Sequence, residues 1–301
     1  MNVPKRHHFV PEMLQKNFTN DEDGLWTFDS RNAAKGVWSS TYGNLFLEGH
    51  LYSLVQPDGT KDVSLESWFS ELEGQVAPIV QKIMSTARRG KLPCLSGQER
   101  QIWDFFFYQQ WRRVPDLFAS LLTPEQHRIE VENLLDVLVR SGRPVSNQER
   151  SDLLEPASLK RMHKNLRVAT LKTGSRTVLD VIAGRGIAIG RLLHPRKSFV
   201  LGSRPVVKLT LPGITHLSDP RVEMWLPIAS DVIVGMGSID SPELLVPVSA
   251  AQARNQNEAS AMQSSQIVGR SKPLIQSLSP LVGRKVQFTP VAEFPQVPSC
   301  G

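Results

Sequence analysis

Between residues 62 and 90, Leu65, Phe69, Leu72, Val76, Ile79, Val80 and Ile83 recur at intervals of three, four or one. That spacing puts them all on one face of a long helix, which Gly90 is placed to end. A face of that length must be covered, and the next stretch supplies cover. A helix over about 96–121 starts behind Ser96 as N-cap, and its "IWDFFFYQQW" is too apolar for a surface, so it belongs at the centre of the core. "TPEQHRIEVENLLDVLVRSG" opens on Thr-Pro-Glu and closes at Gly142, a third helix. Basic helices fill 146–183.

The flanks read differently. Pro11 with Val10, Leu14 and Phe18 predicts a short helix over 11–18. "GLWTFDS" and "HLYSLVQPDGTKDVSL" read as strands, the second broken by a turn at Pro57–Gly59. From about 187, "GIAIGRLL", "KSFVLGSRPVVKLTL", "EMWLPI" and "DVIVGMG" are short β-like runs divided by Pro and Gly. A closing helix over 248–265 comes next, then "RKVQF". The expected class is α+β, a mainly helical middle with small β elements near the N-terminus and in the C-terminal third. The expected organisation is one domain over 1–288, with helices over 62–183, β structure over 187–247 and the closing helix. Residues 289–301 form a Pro-rich tail.

The 301 residues are 40% apolar and 21% charged, the balance of an ordinary globular protein. No apolar run reaches the roughly 18 residues that span a bilayer. The first residues lack the apolar stretch of a secretory signal, and early acids (Glu12, Asp21, Glu22, Asp23) argue against a mitochondrial presequence. Cys94 and Cys300 show no metal-ligand spacing and read as reduced thiols of a cytoplasmic protein. Charge is less evenly spread. Lys160 to Lys208 holds twelve Lys or Arg and one acid, Asp180, in a chain of net charge +6. Such a block points to a nucleic acid or another polyanion, or to a solvated basic face that balances acidic neighbours. With one aromatic, Phe199, its mode would be phosphate contact, through Lys160, Lys164, Arg167, Arg196 and Lys197.

"TVLDVIAGRGIAIG", residues 177–190, looks like the glycine loop of an S-adenosylmethionine-dependent methyltransferase or of a dinucleotide site. Either needs strand, glycine turn and helix, then an acid about 20 residues on. Residues 198–212 hold no Asp or Glu, position 182 is Ile where the methyltransferase motif has Gly, and the stretch beyond the glycines is strand-like. The methyltransferase is the weakest reading.

"HHFVPEMLQKNF" at residues 7–18 resembles the opening of the mostly bacterial domain-of-unknown-function family four-two-three-eight. The matching positions are Lys5, His7 or His8, Val10, Pro11, Leu14 and Phe18. Paired glutamates on a long helix are similar to Glu66 and Glu73, and Gln-x-x-Arg-x-Pro matches Gln110, Arg113 and Pro115. A later Phe-Ile-x-Ser-Asp-x-Pro pattern corresponds to "FVLGSRPV", with Ser203 at the Asp position. The resemblance covers most of the chain. It implies a bacterial setting and a gathering of these polar residues, with no established activity. Ser203 can hydrogen-bond but brings no negative charge, which would impair an activity that needs the Asp.

Glu66 and Glu73, seven apart, share a helix face, as do Gln110 and Arg113, three apart. If the two long helices pack antiparallel, two carboxylates face one Gln and one Arg. A histidine from the N-terminal segment could close the set. His7 and His8 point apart in helix or strand, and His8, nearer the Val-Pro pair, is the slightly favoured one. Glu66, Glu73 and His8 would hold Mg²⁺ or Mn²⁺. Together with Gln110 and Arg113 they would make the catalytic set of a metal-dependent nuclease or phosphodiesterase. The competing reading is an ion-pair network between helices in a non-enzymatic binding protein. His50, His127, His163, His194 and His216 show no ligand spacing.

Overall fold

The computed structural model describes residues 6–284, apart from 57, 116, 119–121, 212, 215 and 240. Lys5, Pro57 of the expected turn, all of "RKVQF" except Arg284, the tail 289–301 and Cys300 lie outside the described residues. The fold is α+β. The N-terminal part runs β1 (Arg6–His8), α1 (Glu12–Gln15), β2 (Leu25–Asp29), β3 (Trp38–Ser40), β4 (Leu47–Gly49), β5 (Leu54–Val55) and β6 (Lys61–Asp62). The helical part is α2 (Ser64–Arg88), α3 (Gly97–Arg112), α4 (Pro124–Arg140), α5 (Asn147–Leu154), α6 (Pro156–Thr173) and α7 (Arg176–Ala183). Then come β7 (Ile187–Leu192), β8 (Leu201–Gly202), β9 (Val207–Leu209), β10 (Glu223–Pro227), β11 (Val232–Met236), β12 (Glu243–Val248), α8 (Ala250–Gln263), β13 (Gln266–Gly269) and α9 (Lys272–Leu278).

The apolar face of α2 is buried over its whole length, from Leu65 to Met84. It packs against α3, which buries Trp103, Phe106, Phe107 and Tyr108, and against β7 and β11. These strands belong to a five-stranded sheet of order β12-β7-β11-β10-β9, antiparallel except for the β12–β7 pair. Capping boxes start α3 (Ser96 with Glu99), α4 (Thr123 with Gln126), α5 (Ser146 with Glu149) and α8 (Ser249 with Gln252).

A second sheet, order β3-β2-β13-β8, joins N-terminal strands to strands more than 160 residues away in sequence. Two ribbons, β1–β4 and β5–β6, complete the β structure. Several sequence expectations shift. The helix expected to reach 121 stops at Arg112, because Pro115 bars its predecessor from helical geometry. The basic stretch 146–183 is three helices, broken at Pro156 and at Gly174, whose φ is +60°. "KSFVLGSRPVVKLTL" supplies β8 to one sheet and β9 to the other, with Pro205 between. The strands expected over 50–65, broken by a turn, are the short antiparallel β5–β6 pair, and α9 was not foreseen. Among the described residues no helix is long and apolar enough to cross a membrane.

Candidate functional site

In β1 the two histidines face opposite ways, as a strand requires. His7 pairs across the ribbon with Glu48 and is fully buried, whereas His8 pairs with Leu47 and is partly exposed. It is His7, the less favoured of the two in sequence, that meets Glu66. Its Nδ1 accepts the Tyr52 backbone N–H at 3.3 Å and lies 3.3 Å from Glu66 Oε2. An imidazole nitrogen that accepts from a backbone N–H carries no proton, so the carboxyl beside it is favoured when Glu66 carries one. Burial pushes the Glu66 carboxyl up from 4.5 to about 7; Arg113 opposes this and Glu73 adds to it. His8 Nε2 sits 3.5 Å from Glu12, toward the outside.

Arg113 comes directly after the last turn of α3 and is 1% exposed. Its Nε donates to the Phe9 carbonyl at 2.9 Å, and a terminal nitrogen donates to Glu73 Oε1 at 2.8 Å. The guanidinium also lies 4.8 Å from the Phe69 ring centre. Burial alone would lower its pKa, but Tyr52, Glu73 and Glu66 raise it on balance. Tyr52, which sequence reasoning passed over, is 1% exposed and stacks on the His7 ring at 5.9 Å. Burial drives its pKa upward, with Arg113 opposing, so the phenol stays protonated. Its hydroxyl has no hydrogen-bond partner among the described residues, and neither do Glu66 Oε2 and both amide atoms of the fully buried Gln110.

Tyr52, Glu66 and Glu73 border a pocket of about 420 Å³, which His7 and Arg113 do not line. Tyr52, Glu66, Phe69, Ser70 and Glu73 line it from one side, with His8, Glu12, Met13 and Lys16 opposite. Gln110 does not line it. Glu66 and Glu73 do share a helix face, as their spacing predicts. Among the described residues no group of three or more His, Cys, Asp or Glu is arranged to hold a metal ion.

A family model described as a protein of unknown function (DUF4238) matches residues 6–272. The chain belongs to this family. No curated protein and no solved structure matches it.

The remaining DUF4238-like positions and the basic residues lie elsewhere. Ser203 is buried beside β13, where its hydroxyl accepts backbone N–H groups from Ser265 at 3.0 Å and Gln266 at 3.3 Å. An Asp there would accept the same two, and Ser203 does not line the Glu66 pocket. Lys160, Lys164 and Arg167 share one face of α6, which packs on β5. Arg167 is engaged with Glu48 at 3.2 Å and the Leu51 carbonyl at 3.0 Å. Arg196 and Lys197 are exposed in the turn after β7, on a different element. Arg185 is spent on backbone carbonyls of Gly237 and Val222. The glycine pattern at 184–186 lies between α7 and β7, a helix-to-strand order that reverses what the methyltransferase motif needs.

Proposed function

We propose that this chain hydrolyses phosphodiester bonds of nucleic acid at the Glu66 pocket, with Mg²⁺ or Mn²⁺ as cofactor. The observation that carries the reading is electrostatic. Two carboxylates on one face of α2 line a pocket whose nearest buried cation, Arg113, is already bonded to one of them. The other, Glu66, is pushed up to about 7 by burial, against the opposing effect of Arg113. A carboxylate in that condition takes a proton or a cation, and the two compete. Mg²⁺ needs only one or two protein carboxylates, completing its shell with water and phosphate oxygens. Glu66 and Glu73 fit that sparse set, with His8 across the pocket. The ion would lower the pKa of a bound water and neutralise phosphoryl charge. Arg113 holds Glu73 in place, His7 rests against Glu66 and is itself held by the Tyr52 backbone N–H, and Lys16 on the pocket wall offers a cation to the phosphate chain.

A second reading has its own support. Arg113 is wholly engaged with Phe9, Glu73 and Phe69, which is how a structural keystone between helices behaves. In that case the basic residues on α6 and after β7 bind a polyanion without cleaving it. One assay separates the two. Single-stranded RNA, duplex DNA and tRNA are incubated with Mg²⁺ or Mn²⁺, with EDTA, and with Glu66→Gln and Glu73→Gln. Cleavage that EDTA and both substitutions abolish supports the hydrolase. No cleavage of any substrate, with binding that weakens steeply in salt, leaves the binding protein.

A further inference from the structure

A second pocket, of about 480 Å³, lies on one face of the β3-β2-β13-β8 sheet. Alternation along β3 brings Trp38 and Ser40 to this face, and Asp29 of β2 stands opposite Gln266 of β13 on it. The short helical stretch Ser30–Lys35 adds Arg31 and Lys35, and Asn44 closes one side. The far wall contains Phe46, whose φ of +54° is a conformation a bulky residue adopts only when its surroundings impose it.

The lining has a definite chemistry. Trp38 offers a ring face, and Lys35 Nζ sits 4.1 Å from its centre. Arg31 is paired through two nitrogens with Asp29, at 2.9 and 2.7 Å, so it adds no net charge. Lys35 is exposed and has only the Trp38 ring beneath it among its described contacts, a weak hold for a cation at a surface. A flat aromatic group stacking on Trp38 would displace Lys35 from the ring and leave its ammonium beside whatever anion that group carries. Asn44, Ser40 and Gln266 supply amide and hydroxyl groups for the edges of a heterocycle. The size suits one base, sugar and phosphate.

We infer that this pocket binds a nucleotide, with the base on Trp38 and the phosphate on Lys35. It shares no lining residue with the Glu66 pocket, so it stands whether or not that pocket is hydrolytic. The same chemistry is carried by a free nucleotide and by the 5′ end of a nucleic-acid strand.

The test is calorimetric titration of the full chain at low salt with AMP, UMP, adenosine, ribose 5-phosphate, and a single-stranded hexamer with and without its 5′-phosphate. AMP and UMP should bind about tenfold or more tighter than adenosine or ribose 5-phosphate, because stacking and charge act together. Trp38→Leu should weaken AMP about tenfold, whereas Lys35→Ala should weaken AMP and leave adenosine unchanged. Glu66→Gln should leave all of these affinities alone. A phosphorylated hexamer that outcompetes AMP makes the strand end the natural occupant, and the reverse makes it a free nucleotide; both support the site. Absence of binding by AMP, UMP and the hexamer at millimolar concentration overturns it. So does binding indifferent to both Trp38→Leu and Lys35→Ala. Lys35→Ala, at an exposed position, remains decisive if Trp38→Leu fails to fold.

Discussion

Glu66→Gln is the substitution that interrogates the candidate site most directly. The carboxyl is 23% exposed and rests against His7, and burial lifts its pKa from 4.5 to about 7. The folded state therefore binds this proton more tightly than the unfolded chain does. The stability that comes from the neutral carboxyl is complete below about pH 4.5 and is lost as pH rises through 7. Taken at face value, the shift amounts to about 3 kcal/mol, and partial hydration of the carboxyl reduces it to roughly 1–2 kcal/mol. Gln imitates the neutral form and cannot ionise, so the variant should keep what the parent loses between pH 5 and pH 8. Thermal melts of both proteins at pH 5, 6, 7 and 8 should diverge by roughly 2–6 °C at the alkaline end, with Gln the more stable. Since Glu66 and His7 touch, the midpoint belongs to the pair. Parallel curves across that range would refute the claim that Glu66 is held protonated. Addition of Mg²⁺ at pH 8 should raise the parent toward the variant if the carboxylate takes a cation.

The geometry fixes three other outcomes. Arg113→Met leaves the Phe9 carbonyl and Glu73 without their donor, and should cost about 2–4 kcal/mol in urea melts, less than a fully buried pair because Glu73 is 27% exposed. Arg113→Lys should not restore it, as one ammonium cannot reproduce the planar fork. Gly186→Ala drives a Cβ into the carbonyls of Ser241 and Ser238 beside the start of β7, and should cost at least about 3 kcal/mol or abolish soluble expression. His127 faces the ring of His163 at 5.2 Å, and burial, then His163, lowers its pKa. Its contribution is present above the ordinary imidazole pKa and fades as pH falls, so the amide protection factors of α4 and α6, with the intrinsic pH dependence of exchange divided out, should fall from pH 7 to pH 5 in the parent and not in His127→Phe.

The long helices were legible because burial imposes one period over many turns: the face read from Leu65 to Ile83 is the face that α2 buries. Glu66, Glu73 and Arg113 could be brought together from spacing for the same reason, since all three ride on or just beyond those helices. The short strands were not. Two- and three-residue strands such as β5 and β8 carry too few positions to show alternation, and the pairing of β2 with β13 rests on contacts remote in sequence. His7 and His8 were hard to separate because a one-residue shift in a strand exchanges the buried and exposed faces. Tyr52 gave no periodic signal. It lies between ribbons, and its place in the site comes from tertiary packing against His7 and Phe69.

The β1–β4 ribbon borders both pockets. β1 gives His8 to the Glu66 pocket, and β4 gives Leu47 and Gly49 to the Trp38 pocket. Residues with φ of +54°, Phe46 and His50, bracket β4, and its whole length is paired with β1. A ligand in one pocket that moves this ribbon also moves lining residues of the other. Thermodynamic linkage then makes the effect mutual: whatever free energy one occupant lends to the binding of the second, the second returns in equal measure.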